Sequence, residues 1–120
     1  RRQRMTMFLA MERWISDSPD QSGEAFRAFI KGCYQQNLLV KGRFRVGRDT
    51  VDLSKLDMPV LNIYATQDHL VPPSSSKVLA GLITASHYTE LEINTGHIGM
   101  FVSKRALKQM PAAVASWLVG

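Results

Sequence analysis

The run Val60-Leu61-Asn62-Ile63-Tyr64-Ala65-Thr66, passing at once into Gln67-Asp68-His69 and closed by Val71-Pro72-Pro73, is the feature that most restricts how this chain can fold. A β-branched and aromatic run of that length, bounded by turn formers, predicts a strand buried on both faces, as in parallel sheets. A helix is expected next over residues 74–83, with Val78, Leu79 and Leu82 on its inner face. A second strand, Tyr88 to Ile93, leads into Asn94-Thr95-Gly96-His97. A last helical region over 103–118 should pack through Leu107, Met110, Val114, Trp117 and Leu118. Pro111 has no N–H to donate, so it must kink that helix or start a separate one. From Val60 onward the order is βαβα, which predicts an α/β fold with parallel strands and a right-handed crossover.

Upstream, Met5, Phe8, Leu9 and Ile15, flanked by Met7, Met11 and Trp14, predict a helix buried over a wide face. It should stop in Ser16-Asp17-Ser18-Pro19, where Ser18 as N-cap, Pro19 as first helical residue and Gln21 as capping-box partner start a second helix. Phe26, Phe29, Ile30, Cys33, Tyr34 and Leu38 give that helix one apolar stripe. Phe44, Val46, Val51 and Leu53 alternate about Gly47-Arg48-Asp49, the pattern of a short hairpin. The expected organisation is one partial domain over 1–120, with a helical segment at 1–40 and half of an α/β core at 41–120. Two parallel strands leave both sheet edges unpaired. A preceding part of the fold or a second copy of the chain must cover them, and the lone chain is expected to be a homo-oligomer.

Composition removes several classes. The 120 residues are 45% apolar and 21% charged, enough for a real core and unlike a disordered chain. No apolar stretch approaches a bilayer span, and the Arg-rich opening does not read as a secretory leader. A first residue that is Arg1, not Met, suggests a fragment or a processed product. A single cysteine, Cys33, excludes an internal disulfide and fits a reducing, cytoplasmic setting. His69, His87 and His97 lack the partners that metal spacing requires, so neither a metal nor another cofactor is expected. The surplus of 15 Lys+Arg over 10 Asp+Glu gathers in Arg1, Arg2, Arg4 and in Arg43, Arg45, Arg48. No aromatic or glycine pattern interleaves them, which favours a solvated basic face over a nucleic-acid site.

Chemistry in open α/β sheets collects beyond the carboxyl ends of the strands. Asp68 follows the first strand there and His97 the second. On neighbouring strands the carboxylate would hold one imidazole nitrogen while the other takes a proton from a nucleophile. Each piece has a plainer reading: Asp68 as a turn or cap residue, His97 as an exposed histidine, Pro72 and Pro73 as loop stiffeners. The conjunction, strand then D-x-x-x-P then helix then strand then G-H then helix, is what points to catalysis. Nucleophile, acid, histidine is the chain order of the α/β-hydrolase fold, of which this chain would be the C-terminal portion. The nucleophile is then expected upstream of Arg1. Cys33 is a poor substitute, because Lys31-Gly32-Cys33-Tyr34-Gln35 lacks the second small residue of a nucleophile elbow and lies on a helical apolar stripe.

The fourteen residues from Val60 to Pro73 resemble the acid-bearing segment of polyhydroxyalkanoate synthases, above all the two-subunit class III enzymes. Gly96-His97-Ile98-Gly99 resembles their histidine segment, and Trp14-Ile15-Ser16-Asp17-Ser18-Pro19-Asp20-Gln21 and Val51-Asp52-Leu53 are also similar to family features. The likeness runs from about Met11 to Leu118. It implies polymerisation of 3-hydroxyacyl-coenzyme A thioesters into polyester with release of coenzyme A. His97 would activate a cysteine thiol, and Asp68 would orient His97 and help activate the 3-hydroxyl of the incoming unit. It also implies a second synthase subunit as partner and the polyester granule surface as an alternative location. The family's G-x-C-x-G elbow is not present, so the isolated chain is expected to be inactive. His69 could support Asp68 or simply face solvent, Asn94 and Thr95 read as turn formers, and the arginines could meet coenzyme A phosphates. An esterase of the same fold and a non-catalytic self-association module are the competing readings; the latter expects Asp68 and His97 apart or exposed to solvent.

Overall fold

The computed structural model describes residues 2–84 and 86–120, with side chains from Met5 onward, so the side chains of Arg1, Arg2 and Arg4 lie outside the described ones. The chain divides into two compact units, Arg1–Leu38 and Leu39–Gly120.

In the first unit, helix α1 spans Arg2–Ser16 and helix α2 spans Gly23–Phe29, which widens into a π-helical turn at Ile30–Gln35. The second helix does not begin at Ser18-Pro19. The hydroxyls of Ser16 and Ser18 donate to the Glu12 and Ile15 carbonyls at 2.8 and 3.0 Å, so both serve the end of α1. Proline moreover biases the residue before it away from helical backbone. Helix α2 starts four residues beyond Pro19, at Gly23, with Ser22 flanking it and no side-chain cap. Asn37, at φ 51, occupies the left-handed region that stops a helix. The expected buried faces are largely open: Phe8, Trp14, Phe26 and Tyr34 are all more than half exposed. A unit of 38 residues has too little chain to enclose its own apolar side chains.

The second unit opens with strands β1, Arg45–Val46, and β2, Asp49–Thr50, paired antiparallel about Gly47-Arg48. Gly47 takes φ +60, which a two-residue hairpin turn requires. Phe44, Val51 and Leu53 are half-buried while Val46 is exposed, so the hairpin forms but its expected apolar face is incomplete. A 3₁₀ turn at Leu53–Lys55 follows, capped by Asp52, which accepts from the Ser54 N–H at 3.0 Å.

Strands β3, Val60–Ala65, and β4, Tyr88–Ile93, pair in parallel with Val60 opposite Tyr88 and Ala65 opposite Ile93. Between them helix α3, Pro73–Lys77, tightens into a 3₁₀ turn at Val78–Gly81, shorter than the expected helix over 74–83. The strand period divides the sheet. Leu61, Ile63, Ala65, Leu91 and Ile93 share one face with Thr89; Asn62, Tyr64, Tyr88, Glu90 and Glu92 share the other with Val60 at its edge. Apart from Val60 that second face is polar, and α3 covers it: Asn62 Nδ2 donates to the Ser76 carbonyl at 2.8 Å, and Lys77 Nζ lies 2.7 Å from Glu92 Oε1. Strand β3 is therefore not a purely apolar strand buried on both sides; only Tyr64 and Ala65 are buried in it.

Helix α4, Gly99–Val102, and helix α5, Lys104–Val119, complete the unit. Ser103 caps α5 by accepting from the Ala106 N–H at 3.1 Å. The helix runs through Pro111 without a break into two, leaving the Leu107 carbonyl without its usual donor. Its covered stripe is Ala106, Met110, Ala113, Val114 and Trp117. Leu107 and Leu118, expected inside, are 56% and 71% exposed, so the helix is rotated from the expected face by about one position. Small Ala106 is fully covered, and a small residue permits close approach to the sheet.

Candidate active site

Asp68 lies in the loop between β3 and α3, His97 in the loop between β4 and α4. Because the strands are adjacent, parallel and level at their ends, the two loops emerge side by side. The crossing is stitched by backbone: the Thr66 N–H donates to the Ile93 carbonyl at 3.0 Å and the Gln67 N–H to the Thr95 carbonyl at 3.1 Å. The carboxylate and the imidazole then meet, with His97 Nδ1 2.7 Å from Asp68 Oδ2.

The other carboxylate oxygen is held by its own loop. Asp68 Oδ1 accepts the Leu70 and Val71 N–H groups at 2.9 and 2.8 Å, a turn of the kind aspartate forms two and three residues ahead of itself. Only 8% of Asp68 is exposed. Burial alone would push its carboxyl up, but the Val71 N–H, the His97 imidazole and the Leu70 N–H outweigh it and hold the group below its ordinary value. An ionised carboxylate only accepts, so Nδ1 carries the proton and donates to Asp68. The remaining ring nitrogen, Nε2, is the basic one, and the His97 side chain is 42% exposed. The plain reading of Asp68 as a turn residue and the reading as a histidine partner are both met, one by each oxygen.

The histidine loop is tight. A Cβ on Gly99 would run into the Oγ1 and Cβ of Thr95, so the second glycine of Gly96-His97-Ile98-Gly99 leaves room for that side chain. Asn94 does more than form a turn: its Oδ1 accepts from Gln67 Nε2 at 2.9 Å, and its carbonyl accepts from Arg105 Nη1 at 3.1 Å. Sequence reasoning missed this tie, since nothing in the spacing of Gln67, Asn94 and Arg105 announces it. His69 is exposed and makes none of the three contacts to Asp68. Cys33 lies half-buried in the π-helical turn of the other unit. Arg43, Arg45 and Arg48 are exposed, with Arg45 Nη2 donating to the Arg48 carbonyl at 3.3 Å. Among the described residues no group of three His, Cys, Asp or Glu could hold a metal, and no helix is long and apolar enough to cross a membrane.

A family model for the alpha/beta hydrolase fold matches residues 2–104. The chain belongs to the α/β-hydrolase family. Within it the sequence is 52% identical over 111 residues to the poly(3-hydroxyalkanoate) polymerase subunit PhaC of Thiocystis violacea, covering 92% of this chain and 31% of that protein. It is 50% identical over 112 residues to the subunit of the same name from Synechocystis sp., covering 92% and 30% respectively. The corresponding protein of Haloferax mediterranei is 39% identical over 110 residues, 92% of this chain and 22% of its own. These matches bear out the resemblance to polyhydroxyalkanoate synthases. This α/β-hydrolase chain spans about a third of the length of the first two relatives. No solved structure matches it significantly.

Proposed function

We propose that this chain is the C-terminal catalytic part of a polyhydroxyalkanoate synthase, which joins 3-hydroxyacyl units from coenzyme A thioesters into polyester. Asp68 and His97 supply the acid and base of a triad, and a cysteine upstream of these 120 residues supplies the nucleophile. The observation that carries this reading is the 2.7 Å contact between a buried, ionised Asp68 and His97 Nδ1 at the ends of adjacent strands. A non-catalytic module would have no need of that pairing. The names of the relatives support polymerisation over ester hydrolysis.

In the proposed reaction His97 Nε2 takes the thiol proton, and the thiolate attacks the thioester carbonyl. The carbon–sulfur bond to coenzyme A breaks and its thiolate leaves with the proton that His97 returns. The 3-hydroxyl of the next unit then loses its proton to the Asp68–His97 pair and attacks the acyl-enzyme carbonyl; the ester forms as the bond from that carbon to the cysteine sulfur breaks, and the proton held by His97 returns to the freed thiolate. Throughout, Asp68 fixes the tautomer and steadies the imidazolium. The isolated chain, lacking the cysteine elbow, is proposed to be inactive. An upstream region and a second synthase subunit are its proposed partners, and the cytoplasm or granule surface its location.

The test is release of coenzyme A by the full-length protein, co-expressed with its partner. His97→Ala should slow release by about 100-fold or more, the range of a positioned general base. Release that is unchanged in this variant overturns the assignment.

A further inference from the structure

Two loops from different strands must present Asp68 and His97 to each other, and the contact between the two functional groups is one bond long. The backbone ties at Thr66 and Gln67 lie on the strand side of both residues. Beside them, three side chains that the proposed reaction does not use converge on one residue. Asn94 Oδ1 accepts from Gln67 Nε2 at 2.9 Å and, more weakly, from Thr66 Oγ1 at 3.4 Å. Its carbonyl accepts from Arg105 Nη1 at 3.1 Å, which anchors it to the first turn of α5. Asn94 thus bonds the residue immediately before Asp68 while sitting three residues before His97. We infer that the Gln67–Asn94 amide bridge, braced by Arg105, is a positioning device that keeps the Asp68 and His97 loops in register. This inference rests on the catalytic reading of that pair for its importance, but the bridge itself is geometric.

An amide–amide bond of this sort is worth about 0.5–1.5 kcal/mol, which corresponds to roughly two- to twelvefold in a rate if it acts only on the geometry of the reacting pair. Asn94→Ala and Gln67→Ala in the full-length protein should each lower kcat within that range and leave KM unchanged. The double variant should lose no more than Asn94→Ala alone, since that substitution already removes the bond to Gln67. Asn94→Asp keeps the acceptor oxygen and should restore at least half of the activity. A second reading comes from ¹⁵N-histidine labelling: the low-field Nδ1 proton of His97 should exchange faster with water in Asn94→Ala and recover in Asn94→Asp. A merely structural role would lower thermal stability without moving that proton. If the Nδ1 proton of folded Asn94→Ala, or of Gln67→Ala should the first not fold, exchanges as in the parent, the inference is overturned whatever the activity. If the parent protein releases no coenzyme A, the proposed function fails while the proton measurement still decides the bridge.

Discussion

Asp68 concentrates the chemistry of this chain into one side chain, because each of its oxygens answers a different demand. The oxygen bonded to Leu70 and Val71 shapes the loop, and the one bonded to His97 sets the tautomer. Since the folded carboxyl is held below its ordinary value of 3.8, its contribution to stability is present above about pH 3.8 and is lost as pH falls through the lower folded value. Acid titration monitored by circular dichroism should show Asp68→Asn losing stability at pH 7 but converging on the parent below about pH 3.8. Convergence fails if the carboxyl is unperturbed. That Asp68 and His97 stand at neighbouring strand ends was legible in the sequence, because a strand, a polar loop and a repeat of both leave little choice of topology. The Gln67–Asn94 tie was not, since it pairs residues 27 apart whose meeting depends on the strand register.

The elements show where pattern reading succeeds and where it slips. Both strands of the sheet fall where β-branched and aromatic residues cluster, but Asn62 and Tyr64 were absorbed into an apolar run although they belong to a polar face. On that face the Tyr64 hydroxyl lies 2.9 Å from Glu90 Oε2 and 2.8 Å from Glu92 Oε1, and shares its single proton between them. Burial, followed by the Glu92 and Glu90 carboxylates, pushes its phenol up to about 12. Folding energy tied to this raised value is intact below pH 10 and drains away as pH rises through about 12. Ultraviolet titration should therefore show a tyrosine ionising near pH 12 that is missing in Tyr64→Phe. In α5 Met110, Val114 and Trp117 are covered as their spacing implies, but Leu107 and Leu118 are exposed and the fully covered position is Ala106, which carries too little hydrophobicity for pattern reading to select it. Pro111 interrupts that helix's hydrogen bonds, at a typical cost of about 3 kcal/mol in a helix interior. Pro111→Ala should accordingly raise the melting temperature; a fall would mean that the proline ring makes packing contacts worth more than the missing bond.

At the scale of the molecule, each unit leaves much apolar surface open. Phe101 is 67% exposed and Leu70 71%, and both flank the Asp68–His97 loops in sequence. Exposed apolar area on this scale belongs to surfaces that meet something else. The 120-residue chain alone should self-associate in light scattering, and a stable monomer that binds no hydrophobic dye would contradict that reading. One consequence reaches further than any of these contacts. Because one oxygen of the Asp68 carboxylate is fastened to its own peptide at Leu70 and Val71, the conformation of the acid is set within its own loop. In the proposed reaction, the group that brings the thiol then has to align only with the exposed imidazole of His97, whose acid partner is already in place.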